Sequence, residues 1–127
     1  MRNIKVLLVD DDESFLTIVT KTIESWGYDT IPVSSGREAI NVVKKGDAGI
    51  IILDYKMPDM DGLATLKEIR KINSEIPVIM FSAIAGETIE GESELDVCFF
   101  IPKHSTVTNV VESLRTAIRI AENKLDK

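Results

Sequence analysis

Four places in this chain of 127 residues put a reactive polar group directly after an apolar run. Ile4-Lys5-Val6-Leu7-Leu8-Val9 runs into Asp10 and Asp11, Ile50-Ile51-Ile52-Leu53 into Asp54, Ile76-Pro77-Val78-Ile79-Met80-Phe81 into Ser82, and Val97 to Ile101 into Pro102-Lys103. Carboxylates crowded into one crevice repel one another unless a cation bridges them. An all-oxygen donor set favours Mg²⁺ or Mn²⁺ over zinc. Lys103 adds a point positive charge and Ser82 a hydroxyl donor. A carboxylate, a divalent ion, an ammonium and a hydroxyl together suit phosphoryl transfer to an aspartate oxygen, with Asp54 attacking in line.

The elements that must position these groups follow from periodicity. The apolar runs read as strands, and the unbroken β-branched run at 50–53 reads as a strand buried on both faces. Between them lie helical patterns. Phe15, Ile18, Val19, Thr22, Ile23 and Trp26 form one stripe after a cap at Asp12, with Glu13 in the first turn. Ser34, Ser35 and Gly36 open a second helix that turns Ala39, Ile40, Val42 and Val43 inward. Leu63, Leu66, Ile69 and Ile72 mark a third, over 62–72. An acidic, glycine-containing segment at 86–94 is expected to form a short helix. Ser105 or Thr106 caps a last one carrying Val107, Val110, Val111, Leu114, Ile118, Ala121 and Leu125. A second strand at 28–33 contains Pro32, which fits a sheet edge or a strand end. Strands alternating with helices imply right-handed βαβ units and a parallel sheet with helices on both faces. All four polar strand ends then fall on the carboxyl edge of one sheet, where open α/β folds bind their ligands.

Composition narrows the function classes. The size fits one domain over 1–127. A hydrophobic share of 44% with 28% charged residues is that of a globular chain. A net charge of −6 argues against a nucleic-acid surface on this domain, since phosphate backbones demand a basic face. The single Cys98 excludes an internal disulfide and suits a reducing cytoplasm. No apolar run reaches membrane-spanning length, and the first one stops at Asp10, too early for a signal peptide. Trp26 reads as a helix-end core residue, Cys98 as a small packed residue and His104 as an exposed loop residue.

The sequence resembles a two-component response-regulator receiver domain over nearly its whole length. The resemblance rests on Val6-Leu7-Leu8-Val9-Asp10-Asp11, on Asp54 within Leu53-Asp54-Tyr55-Lys56-Met57-Pro58-Asp59-Met60-Asp61-Gly62, on Ser82-Ala83, and on Phe100-Ile101-Pro102-Lys103. It implies a flavodoxin-like doubly wound (βα)5 fold with five parallel strands in order 2-1-3-4-5. It implies Asp54 as phosphoacceptor, and Asp10, Asp11, Asp54 and the Lys56 backbone carbonyl as Mg²⁺ ligands. Ser82 is then the switch hydroxyl, Lys103 the phosphate-binding lysine, and Phe100 the switch aromatic whose rotamer follows the hydroxyl. The partners implied are a histidine kinase or phosphotransfer protein and an output protein or domain, so the chain is a cytoplasmic signalling module rather than an enzyme with a separate substrate. It is compatible with a stand-alone regulator and with the receiver part of a longer protein.

The chain departs from the family pattern in three places. His104 follows Lys103 where the family has proline, and a trans peptide is expected there. Asp96-Val97-Cys98 stands where Gly-Ala is usual. The 86–94 segment is unusually acidic, so this region is expected to be irregular and not to form the common dimer built on that face. Two other functions fit parts of the pattern. One is a phosphorylation-independent interaction module on the same fold. The other is a Mg²⁺-dependent phosphohydrolase with Asp10 as nucleophile in Asp10-x-Asp12, which leaves the Asp54 motif unexplained.

Overall fold

Strand alternation explains the whole architecture. In the computed structural model, which describes residues 4–57, 60–82, 97–102 and 107–125, the strands are β1 (Lys5–Val9), β2 (Asp29–Val33), β3 (Ile50–Asp54), β4 (Val78–Ser82) and β5 (Val97–Pro102). They form one sheet in the order β2-β1-β3-β4-β5, with every neighbouring pair parallel. The described helices are α1 (Glu13–Ser25), α2 (Gly36–Lys44), α3 (Gly62–Ile72) and α4 (Val107–Leu125).

Successive strand side chains point to opposite faces, so an unbroken apolar strand supplies two cores. Val6, Leu8, Ile50, Ile52, Ile79, Phe81 and Ile101 pack with α1 and α4 on one face. Leu7, Val9, Ile51, Leu53, Val78 and Met80 pack with α2 and α3 on the other. Each buried Ile, Leu, Val or Met contributes about 1.5–3 kcal/mol, and β1 and β3 place nearly all their side chains in these cores. The central strands therefore form the rigid part of the molecule.

The helices match the expected order with two shifts of face. In α1 the buried positions are Leu16, Val19 and Ile23, while Ile18 is 60% exposed. At about 100° per residue, Ile18 lies roughly 130° from the centre of the buried arc. Phe15 and Trp26 flank that arc and are half-buried against the core. In α3 the exposed residue is Ile72, and fully buried Thr65 joins Leu66 and Ile69 instead. The strand expected over the apolar run 50–53 also includes Asp54, and the one over 76–81 runs from Val78 to Ser82. Pro32 lies exposed within β2, opposite Leu8, on an edge of the sheet as its chemistry requires. The helix expected over 86–94, Lys103, His104 and the bond joining them lie outside the described residues. Among the described residues, no helix is long and apolar enough to cross a membrane.

A polar clamp joins the exit of α1 to α4. The Tyr28 hydroxyl donates to Glu122 Oε1 at 2.9 Å, and the Arg115 guanidinium sits 5.6 Å from the centre of the Trp26 ring. Burial, and then the Glu122 carboxylate, raise the Tyr28 pKa above 10.0. A raised folded-state pKa means that the stabilisation is complete below the unfolded value and is lost as pH rises through the folded one. Tyr28→Phe is expected to cost about 1 kcal/mol near neutral pH, through the lost hydrogen bond. Urea denaturation across a pH series should show the gap between wild type and variant narrowing above about pH 10. A gap that stays constant into strong alkali would contradict this account.

Candidate functional site

The site begins with strand register. Val9 of β1 lies opposite Leu53 of β3, so the next residue on each strand, Asp10 and Asp54, leaves the sheet side by side. This is the point where the strand order reverses, with β2 to one side of β1 and β3 to the other, and it opens a crevice at the carboxyl edge.

Asp10 is held from two directions. Its N–H donates to the Val33 carbonyl at 3.2 Å, which ties the exit of β1 to the end of β2. Its Oδ1 accepts the Asp12 N–H at 2.9 Å. Asp12 is the N-cap of α1, and its Oδ1 accepts the Phe15 N–H at 3.2 Å. The acidic run thus divides its work: Asp10 is buried, Asp11 is exposed, and Asp12 and Glu13 start a helix, as the sequence predicts.

Asp54 is the last residue of β3 and is also buried. It pairs with Phe81 of β4, and the Tyr55 N–H donates to the Phe81 carbonyl at 2.8 Å. Phe81 is braced in turn by Phe15 of α1, edge to face, with ring centroids 5.3 Å apart. The Gly62 N–H donates to the Tyr55 carbonyl at 2.7 Å, which brings the start of α3 against the end of β3. A side chain at Gly62 would overlap the Asp54 carbonyl and come within 2.7 Å of Tyr55 Cα. Glycine is required here by close approach of backbone to backbone. Asp61 caps α3 by accepting the Ala64 N–H at 2.8 Å.

One carboxylate oxygen each from Asp10, Asp11 and Asp54 lies within 4.8 Å of the others. Two unit charges at that spacing repel by about 3 kcal/mol at an effective dielectric constant near 20. Any cation drawn into the cluster offsets that repulsion. Three converging carboxylates are hard oxygen donors, the set that suits Mg²⁺ or Mn²⁺, so the residues present fit such an ion.

The structure brings together Asp10, Asp11 and Asp54. Ser82 ends β4 on the neighbouring strand, its backbone paired with Pro102, and Phe100 of β5 pairs with Met80. The side chains of Ser82 and Phe100 lie outside the described residues, as does all of Lys103. Lys56 is exposed, two residues beyond Asp54. Sequence reasoning missed Thr65, Gly36 and the close approach at Gly62. Thr65 carried one signal, its position four residues after the Asp61 cap. Gly62 was legible only as the end of the Asp54 motif and the start of the third helix.

A family model described as the response regulator receiver domain matches residues 6–115. Over 84 residues, 66% of this chain, the sequence is 42% identical to the transcriptional regulatory protein ZraR of Escherichia coli K12. That match covers 19% of ZraR, so the chain spans about a fifth of this relative. Over 121 residues, 94% of this chain, it is 31% identical to the probable transcriptional regulator ycf27 of Porphyridium aerugineum, half of which is covered. Among solved structures, the response regulator domain of Thermotoga maritima CheB superposes with a TM-score of 0.82 at 29% identity, over 96% of this chain and 98% of that one.

A cation that binds only the folded state raises stability by mass action, about 2.7 kcal/mol at a hundred times Kd. Adding Mg²⁺ is therefore expected to raise the melting midpoint of the wild type. Asp10→Asn should fold and lose that rise. Gly62→Ala should lower the midpoint with or without the ion, by about 1–3 kcal/mol of overpacking. Paired thermal melts check all three, and an undiminished Mg²⁺ effect in Asp10→Asn would remove that residue from the site.

Proposed function

The chain belongs to the response regulator receiver domain family, and on that footing we propose that it is a phosphorylation-dependent switch of a two-component relay with Asp54 as its phosphoacceptor. The observation that carries this reading is the convergence of Asp10, Asp11 and Asp54 at the reversal point of the sheet. A lone aspartate at a strand end is only a turn residue. An aspartate held beside two further carboxylates by strand register is a nucleophile with a cation cradle.

In the proposed reaction an Asp54 oxygen attacks phosphorus in line. The new bond is Asp54 O–P. The bond that breaks joins phosphorus to a phosphohistidine nitrogen of a histidine kinase or phosphotransfer protein, and that nitrogen keeps the electron pair. A bound Mg²⁺ supplies charge neutralisation at the phosphoryl oxygens. Asp10, Asp11 and the Lys56 carbonyl would hold the ion, and the tie from Asp10 N–H to the Val33 carbonyl fixes the backbone from which Asp10 reaches it. The Lys103 ammonium and the Ser82 hydroxyl bind the transferred group, and Phe100 turns inward as Ser82 shifts. These contacts form only in the phosphorylated state, so they shift a pre-existing equilibrium rather than create a new fold.

The relatives named as transcriptional regulators extend well beyond the region matched. This supports an output domain or protein that reads the switch in the cytoplasm. With a net charge of −6, this domain would act on that partner and not on nucleic acid directly.

Intact-mass spectrometry after incubation with Mg²⁺ and a small-molecule phosphodonor tests the proposal. The wild type should gain one phosphoryl group, and Asp54→Asn or EDTA-treated protein should gain none. An equal adduct on Asp54→Asn would place the acceptor elsewhere. Turnover of a phosphate ester lost with Asp10→Asn but kept with Asp54→Asn would mark a phosphohydrolase. A wild type with no adduct and no Mg²⁺ affinity would mark an interaction module.

A further inference from the structure

A segment of four residues, Val33 to Gly36, links the backbone of Asp10 to the start of α3. On one side the Val33 carbonyl holds the Asp10 N–H. On the other, buried Gly36 opens α2 and faces the side chains of Thr65 in α3 and of Met60. A Cβ at Gly36 would overlap Thr65 Oγ1 and lie 3.2 Å from Met60 Sδ. The segment is itself fixed, because the Ser35 hydroxyl accepts the Glu38 N–H at 3.2 Å and both Ser34 and Ser35 donate to Glu38 Oε1.

Thr65 is fully buried. Its hydroxyl donates to the Asp61 carbonyl at 2.8 Å, and its N–H donates to the same oxygen at 3.0 Å. That carbonyl immediately precedes Gly62, the residue packed against the backbone of Asp54. Force applied at Gly36 therefore has a short path through Thr65, Asp61 and Gly62 to Asp54, while Val33 governs Asp10.

We propose that Gly36 and Thr65 are a positioning pair that sets the spacing between Asp10 and the Asp54 loop, and so the affinity of the cation cradle. Neither residue touches the ion. The inference rests on the proposed Mg²⁺ site and adds residues that fix its dimensions. Groups bonded directly to metal ligands change affinity by about 10–100-fold when lost, and Gly36 and Thr65, which act one step further back, are expected at the lower end of that range.

The test is calorimetric Mg²⁺ titration of the unphosphorylated protein, with a thermal melt of each variant. Gly36→Ala and Thr65→Val should each raise the Mg²⁺ Kd by roughly tenfold. Thr65→Ser, which keeps the hydroxyl, should retain the wild-type Kd. Ile23→Val, in the core on the opposite face of the sheet, should lower the melting midpoint without moving the Kd. Thr65→Val carries the test alone if Gly36→Ala does not fold. Wild-type affinity in both Gly36→Ala and Thr65→Val, or an equal loss in Thr65→Ser and Thr65→Val, overturns the positioning role. A wild type that takes up no Mg²⁺ is a different result, since it overturns the cation site on which the role depends.

Discussion

Like charges gather in a folded protein only where the backbone leaves them no alternative. Here the constraint is the register of β1 against β3. With Val9 opposite Leu53, Asp10 and Asp54 must emerge together, and a one-residue slip would also turn every side chain of the strand toward the wrong core. The two apolar cores therefore do more than stabilise the sheet. They make the electrostatically unfavourable arrangement at its edge the lowest state available.

The site's main features were legible because strand ends are legible. An apolar run that stops abruptly at a carboxylate specifies both the strand and the place where its last side chain emerges. The parallel order then places Asp10, Asp11 and Asp54 on one edge. The face of α1 was harder to read. Phe15, Ile18, Val19, Thr22, Ile23 and Trp26 satisfy helical spacing as well as Leu16, Val19 and Ile23 do, and the sheet surface decides which arc is covered. Ile18 is left in solvent because the arc of Leu16, Val19 and Ile23 is the one that meets the sheet.

Thr65 and Gly36 escaped for a different reason. Their roles are tertiary. Thr65 is buried because its hydroxyl has a partner in the preceding turn, which spares the cost of burying a polar group. Gly36 matters through what its missing side chain permits on another helix, and no local pattern records a residue by the space it leaves. The same holds for Gly62, whose place in a turn was plain while its contact with the Asp54 backbone was not.

Pro32 has a consequence beyond the site. An open sheet has edges, and an exposed edge can accept a strand from a second molecule through its free backbone groups. β2 is one of these edges. Pro32 removes a donor from it, and the Thr30 hydroxyl is engaged by Glu24 at 3.0 Å, which sets a carboxylate beside the strand. Growth of the sheet from molecule to molecule along this side is opposed by covalent structure, since no partner can restore the missing donor. Addition of a strand from a second molecule is thereby disfavoured on this flank of the sheet.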